Sequence, residues 1–289
     1  MVTWPRGIRR LRHRTDREVV VTRVEDFSDR YRRIHFTGDD LLHDLTDVYP
    51  TAWVRLWVPE SPAGADAKAG DGSAKAGNGD AATTDHPGPA RGSGRVSRRD
   101  YTFVDVDIRS GSFALDLVLP HHRTAGEAAF GPATRWAQAA QPGTVINACV
   151  TPDRLDLPRD TKRLILLGDL STVPAVNSWL SWIPDEVEAT AIIEDDGDTD
   201  GIPQRQRANA TWTWVRSTGS RGQALIDHVR DLGLGPAGLY VWVAGERGLV
   251  SAVRHGLRRE LPLDRRRHFS QAYWSDRRSA HVPAGESTE

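Results

Sequence analysis

The first half of the chain alternates apolar and polar residues in short runs. "REVVVTRVE" (17–25), "RYRRIHFTG" (30–38), "AWVRLWV" (52–58), "RDYTFVDVD" (99–107), "SFALDLVLP" (112–120) and "TVINACV" (144–150) set β-branched or aromatic residues between turn formers. Alternation of that period predicts strands with one buried face. One helix is expected among them, "GPATRWAQAA" (131–140). Several antiparallel strands with a single small helix suggest a barrel.

Beyond about residue 160 the rhythm changes. "RLILLGD" (163–169) is a short apolar strand, followed by a helix in "TVPAVNSWLSW" (172–182). Strands "EATAIIED" (188–195) and "TWTWVRS" (211–217), a helix "GQALIDHVRDL" (222–232), a strand "LYVWVAG" (239–245) and a helix "ERGLVSAVRHGLRREL" (246–261) come next. In the last helix Leu249, Val253, Leu257 and Leu261 recur every fourth residue, which predicts one buried stripe. Strand–helix alternation predicts a parallel sheet with covered faces.

The expected fold is therefore two-domain, β then α/β. A flexible basic arm (1–16) precedes an antiparallel β-barrel (17–153), and an α/β parallel-sheet domain (160–276) precedes a flexible tail (277–289). Residues 61–95 contain no Leu, Ile, Val, Met or aromatic residue. Such a stretch cannot bury enough apolar surface to offset its ordering entropy, so a disordered insertion is expected there.

Charge is nearly balanced, with a formal net charge of -1, so nucleic acid is not an expected partner. Cys149 is the only cysteine. An intrachain disulfide and a cysteine-built zinc or iron–sulfur site are excluded, and a reducing cytoplasm is the expected location. The basic N-terminal residues lack an apolar core, and no run is long enough to span a bilayer, so no membrane insertion is expected. The chain has no G-x-S-x-G, H-E-x-x-H or G-x-x-x-x-G-K-[ST] motif, and adjacent His121 and His122 make a poor metal pair. No catalytic acid–base residue and no metal ligand is nominated.

Three places could carry chemistry. Arg99 and Tyr101 fall on one face of a strand and Thr102 on the other. A guanidinium beside a phenol ring can grip a phosphate and an aromatic heterocycle together, though the same residues also suit an edge strand. Gly131 and Pro132 open a helix whose free N–H groups suit a pyrophosphate, with Thr134 adding a hydroxyl; an ordinary helix whose Trp136 plugs the barrel end is the alternative. Gly168–Ser171 and Gly245–Glu246 each lie where a strand hands over to a helix, the usual ligand position of open α/β sheets. "GLGPAG" (233–238) matches G-x-G-x-x-G by letter but follows a helix and precedes a strand, so it is a turn.

Taken in order, Arg-x-Tyr-Thr, Gly-Pro-Ala, "GDLSTVPAV" and "VWVAGERG" resemble the siderophore-interacting protein family, within the flavin reductases of ferredoxin–NADP reductase type. The resemblance spans roughly Arg17 to Trp274. It implies an FAD-binding barrel, with Arg99 near the flavin phosphates, Tyr101 against the ring and Thr102 at its polar edge. Val118, Leu119, Pro120, His121, Gly131, Pro132, Ala133, Thr134 and Trp136 are implied around the same cofactor. Asp169, Ser171, Gly245 and Glu246 are implied in the NAD(P)H half, with Tyr273 and Trp274 towards the flavin cleft. Leu170 replaces the usual Glu, Gln271-Ala272 precede Tyr-Trp where Gly is usual, Ser275 stands where Arg is common, and a segment near Arg123–Phe130 is extra.

The activity implied is transfer of electrons from NAD(P)H through FAD to Fe(III) held by a siderophore, with a ferredoxin kept open as donor. Arg265, Arg266 and Arg267, with Arg98, Arg277 and Arg278, are candidates for a cationic mouth that receives an anionic ferric siderophore. Two other functions stay open: a general NAD(P)H–flavin oxidoreductase with another acceptor, and a binding protein that has lost turnover.

Overall fold

The computed structural model describes residues 16–38, 40–60, 95–119, 130–151, 154–261 and 263–276. The N-terminal arm, most of the expected insertion, Pro120, His121 and the tail with Arg277 and Arg278 lie outside them.

Six antiparallel strands close a barrel: β1 (Arg17–Ser28), β2 (Tyr31–Thr37), β3 (Trp53–Pro59), β4 (Val96–Asp107), β5 (Ser112–Val118) and β6 (Val145–Thr151), in the order β1-β2-β5-β4-β3-β6. Helix α1 (Pro132–Ala139) lies against β3 and β4. Alternation does its work most plainly in β3, where Val54, Leu56 and Val58 are buried between partly exposed Trp53, Arg55 and Trp57. The barrel centre is aromatic: Phe36 stacks on Phe113 at 5.1 Å, and Phe103 meets Phe113 edge-on at 5.3 Å. In β4 the alternation breaks, because Phe103 and Val104 are both buried. A register irregularity follows Val104, and Asp105 adopts φ 48°. A bulge of that kind turns the strand and re-aims its side chains.

The second unit is a five-stranded parallel sheet, formed by β7 (Arg163–Asp169), β8 (Glu188–Glu194), β9 (Ala210–Val215), β10 (Leu239–Glu246) and β11 (His268–Trp274) in the order β11-β10-β7-β8-β9. Helices α2 (Val173–Trp182), α3 (Gln223–Asp231) and α4 (Arg247–Glu260) cover it. Every residue of β10 is buried, as expected for a central parallel strand covered on both faces. The expected stripe on α4 is realised, since Leu249, Val253, Leu257 and Leu261 all join the core on the α3–α4 side. The strand order reverses between β7 and β10, so the topological switch point lies at their carboxyl ends.

The two units are joined by the β1–β2 turn. Tyr31 opens a barrel strand, yet it is fully buried in the core of the α/β unit. Its hydroxyl donates to Asp116 at 2.9 Å, and Arg33 donates to both oxygens of the same carboxylate at 2.6 and 2.9 Å. Arg30 donates to Asp195 from both Nη atoms and to the Asp198 carbonyl at 2.9 Å. No helix among the described residues is long and apolar enough to cross a membrane.

Candidate flavin and nucleotide sites

On the barrel, β4 pairs with β3 so that Tyr101 lies opposite Val54 and Arg99 opposite Leu56. Residues opposite one another in an antiparallel pair share a face. Arg99 and Tyr101 therefore follow the inward-facing row, while Thr102 joins Trp53 on the outer one. Tyr101 packs on the barrel core, and burial pushes its phenol up to about 12, so the hydroxyl stays protonated at neutral pH. Arg99 is exposed; its Nη1 donates to the Arg98 carbonyl at 2.7 Å, and it pairs with no carboxylate among the described residues.

The outer row is already occupied with itself. Arg55 pairs with Asp100 (2.8 and 3.2 Å) and lies over Trp53 at 5.0 Å, and Arg98 lies over Trp57 at 4.7 Å. Arg98, nominated for a substrate mouth, is thus laid along a tryptophan.

Helix α1 begins beside this strand. Gly131 is its N-cap, Pro132 opens the first turn, and no side-chain cap is found among the described residues. Among the described residues a Cβ added at Gly131 would meet nothing within 4 Å. Arg135 anchors the helix start, donating to the Phe130 carbonyl and to the Glu60 carbonyl (2.9 Å). Ala133 and Trp136 face inward, with the Trp136 ring nearly parallel to Phe36 at 6.3 Å. Trp136 therefore plugs the barrel end. At the end of β5, Val118 is exposed and Leu119 is buried.

These residues fit FAD. Among the described residues they offer a helix start without a side-chain cap, an exposed arginine without a carboxylate partner and a protonated phenol packed on the barrel core.

At the switch point the geometry differs. Asp169 ends β7 and is buried. Its Oδ1 accepts from Ser171 N (2.9 Å) and Ser171 Oγ (2.5 Å), and its Oδ2 accepts from Glu246 N (2.7 Å) and Trp274 Nε1 (3.1 Å). Burial pushes the Asp169 carboxyl up, and these hydrogen bonds pull it back in part. Glu246 ends β10 and caps α4, accepting from Gly248 N and Leu249 N. Gly245 between them has φ 123°, and a Cβ there would come within 2.7 Å of Asp169 Oδ2. Only glycine permits that approach. Arg221, which nothing in the sequence singled out, lies over the Trp274 ring at 5.4 Å.

The arginines nominated before the last strand are elsewhere. Arg265–Arg267 form a short 3-10 turn at the amino end of β11, while Trp274 ends that strand. Six residue steps of strand separate them by about 20 Å. Arg267 pairs with Asp160, and Asp264 caps the turn through Arg266 N at 2.8 Å. The chain enters β11 at the edge of the sheet opposite the switch point, so Arg265–Arg267 lie at the other end of that strand from Trp274. A groove at the seam between the units, lined by Phe103, Asp105, Asn177 and Arg205 among others, contains none of the nominated residues.

The model of the siderophore-interacting FAD-binding domain matches residues 20–154, and that of the siderophore-interacting protein matches residues 161–277. The chain belongs to the siderophore-interacting protein family. Its barrel is that family's FAD-binding domain, and its cofactor is FAD. The chain is 25% identical over 279 residues to the mycobactin import ATP-binding/permease protein IrtA of Mycolicibacterium thermoresistibile, covering 94% of this chain and 26% of that protein. It thus spans about a quarter of the length of that relative. It is 29% identical over 182 residues to the ferric vibriobactin reductase ViuB of Vibrio cholerae, covering 61% of this chain and 64% of that one. Among solved structures, the siderophore-interacting protein SipS from Aeromonas hydrophila matches with a TM-score of 0.69 at 22% identity, covering 93% of this chain and 96% of that chain. At that identity the likeness shows the fold.

Proposed function

We propose that this siderophore-interacting protein is a flavin-dependent reductase that passes electrons from NAD(P)H to Fe(III) held by a siderophore. The observation that carries the proposal is the presence, on one barrel, of the Arg99–Tyr101 row and a start of α1 that no described side chain caps. The likeness to a ferric vibriobactin reductase supports a ferric siderophore as acceptor.

In this proposal Arg99 and the N–H groups after Gly131 bind the cofactor's phosphates, because guanidinium and helix N-termini both favour anions. Tyr101 presents its ring to the flavin, and Thr102 its hydroxyl to the polar edge. The flavin, when bound, supplies the redox step and links a two-electron donor to a one-electron acceptor. The chain's own part is to bind, orient and shield it. Siderophores hold iron through hard oxygen ligands, which suit Fe(III) better than Fe(II), so reduction loosens the metal.

The test is to photoreduce the FAD-loaded protein without oxygen and add a ferric tris-catecholate or tris-hydroxamate siderophore with a ferrous chelator. Return of the oxidised flavin spectrum together with ferrous complex is expected. A flavin that stays reduced would reject the siderophore as acceptor.

A further inference from the structure

Asp116 is a charged side chain that the flavin and nucleotide sites do not use, yet it is fully buried. It stands on β5 where that strand leaves β4. Phe103 lies opposite Leu115, and both side chains fill the barrel core. One place further along the pair, Thr102 on β4 and Asp116 on β5 therefore fall at neighbouring positions of the outer face. The β4–β5 register stops at Phe103–Leu115 on this side, although β4 goes on pairing with β3 as far as Val96, and β5 with β2 as far as Val118. Thr102 and Asp116 thus stand where the two strands part.

The carboxylate is held from β2. Arg33 donates to both of its oxygens and Tyr31 to Oδ2, and Arg33 Nη1 goes on to Asp105 at 2.7 Å. Burial and the Asp116 charge push the Tyr31 phenol well up, so it stays a donor. From the α/β unit, the Leu170–Thr172 turn that follows β7 lies against β5. The pair is therefore enclosed at the seam between the units, where water screens a charge little. Its two charges are not equally placed. Asp116 belongs to the strand next to Thr102, about 5 Å away, whereas Arg33 comes from the strand beyond and extends towards Asp105, on the far side of Phe103. A group at Thr102 faces the carboxylate first. An apolar pair of similar volume would often hold a seam as well as a buried ion pair does.

We infer that Asp116 sets the flavin's reduction potential, acting as a fixed negative charge beside the cofactor that makes the reduced flavin a stronger electron donor. The inference rests on the flavin lying at Thr102 as proposed above; it needs neither the NAD(P)H nor the siderophore assignment. Hydride brings two electrons and one proton to the ring, which gains one negative charge. A carboxylate nearby opposes that gain and lowers the potential. The electrons leave one at a time, each turning Fe(III) into Fe(II). Hard oxygen ligands favour Fe(III) and so make it hard to reduce, which a low flavin potential offsets.

The test uses the full chain loaded with FAD. Its midpoint potential is read anaerobically, with xanthine and xanthine oxidase as reductant and a reference dye, and flavin content and melting temperature are recorded. Asp116→Asn keeps the size of the group and removes the charge. Its potential should rise by at least about 15 mV, a threefold shift in the ratio of reduced to oxidised flavin for a two-electron couple. Adding Arg33→Gln removes the opposite charge as well and should cancel more than half of that rise. A smaller rise in Asp116→Asn overturns the inference. So does a double variant that keeps half of the rise or more, because disturbed packing would add where opposite charges cancel. Should Asp116→Asn fail to fold, Arg33→Gln alone decides: its potential should fall, and a rise or no change overturns the inference. A wild-type chain that keeps no FAD after desalting defeats the proposed flavin site and this inference with it. Retained FAD whose potential ignores Asp116 leaves the site standing and defeats the inference alone.

Discussion

The Trp274 indole donates to Asp169 Oδ2 at 3.1 Å, tying the end of the last strand to the end of the first strand of the parallel sheet, 105 residues earlier. The same oxygen accepts from Glu246 N, and the other from Ser171. One carboxylate thus joins β7, β10 and β11 at the point where the sheet reverses its order.

Asp169→Asn keeps the size of that group but turns one acceptor into a donor. Each oxygen faces two donors, so either amide orientation sets N–H against N–H. The variant should lose about 1–3 kcal/mol of stability. Urea denaturation checks this, and a midpoint unchanged from wild type would show that the junction contributes nothing.

Arg99→Ala should weaken FAD binding about tenfold to a hundredfold, the cost of charge-assisted hydrogen bonds to phosphate. Tyr101→Phe should weaken it far less, because the ring that would stack is kept. Flavin titration of both apoproteins measures the order. Equal affinities for Arg99→Ala and wild type would remove Arg99 from the phosphate site.

Burial holds the Tyr101 phenol up at about 12, against about 10 in an unfolded chain. The folded form keeps its proton longer, so this group's contribution to stability is complete below about pH 10 and is lost as pH rises through about 12. Absorbance at 295 nm, taken as the difference between wild type and Tyr101→Phe in the apoprotein, should titrate near the upper value. Titration near 10 would mean that the strand leaves the phenol in water.

Arg30 and Asp195 form the ion pair between barrel and α/β unit, with side-chain exposures of 9% and 13%. Arg30→Ala leaves a carboxylate without its partner in a place of little solvent, which should cost about 3 kcal/mol or more. Adding Asp195→Ala should recover part of the loss, and a double-mutant cycle in urea reads that coupling. A cycle that closes at zero would mean the two side chains act independently.

Replacing Arg265, Arg266 and Arg267 with Gln should leave ferric-siderophore reduction within about twofold of wild type, since exposed charges about 20 Å from the cleft are largely screened at physiological salt. Steady-state KM for an anionic ferric siderophore is the readout. A tenfold rise in KM would put that turn at the substrate after all.

The fold class was legible because two periods divide the chain: alternation in the barrel strands, and strand–helix succession after residue 160. The buried stripe of α4 was legible for the same reason. The bulge in β4 was not, because Asp105 at φ 48° carries no Gly or Pro to announce it. Tyr31 was equally hidden. Its place in the pattern is that of a barrel strand, and only the packing of the β1–β2 turn on the other unit buries it there. The position of Arg265–Arg267 was not legible either, because a run of charge does not say which end of a strand it lies at. In a parallel sheet a helix returns the chain to the amino edge, so residues just before a strand lie opposite the switch point. The Asp169 junction depends on donors 77 and 105 residues away, and local sequence has no mark for them.

The central claim is that the Arg99–Thr102 strand and the start of α1 hold a flavin that a dihydronicotinamide can reduce. The most direct measurement is the visible spectrum of the purified protein, saturated with FAD, desalted, and recorded before and after anaerobic NADH or NADPH. A bound flavin spectrum that bleaches is the predicted result. A colourless protein after desalting would contradict the site itself, and a bound flavin that neither nucleotide bleaches would contradict the donor.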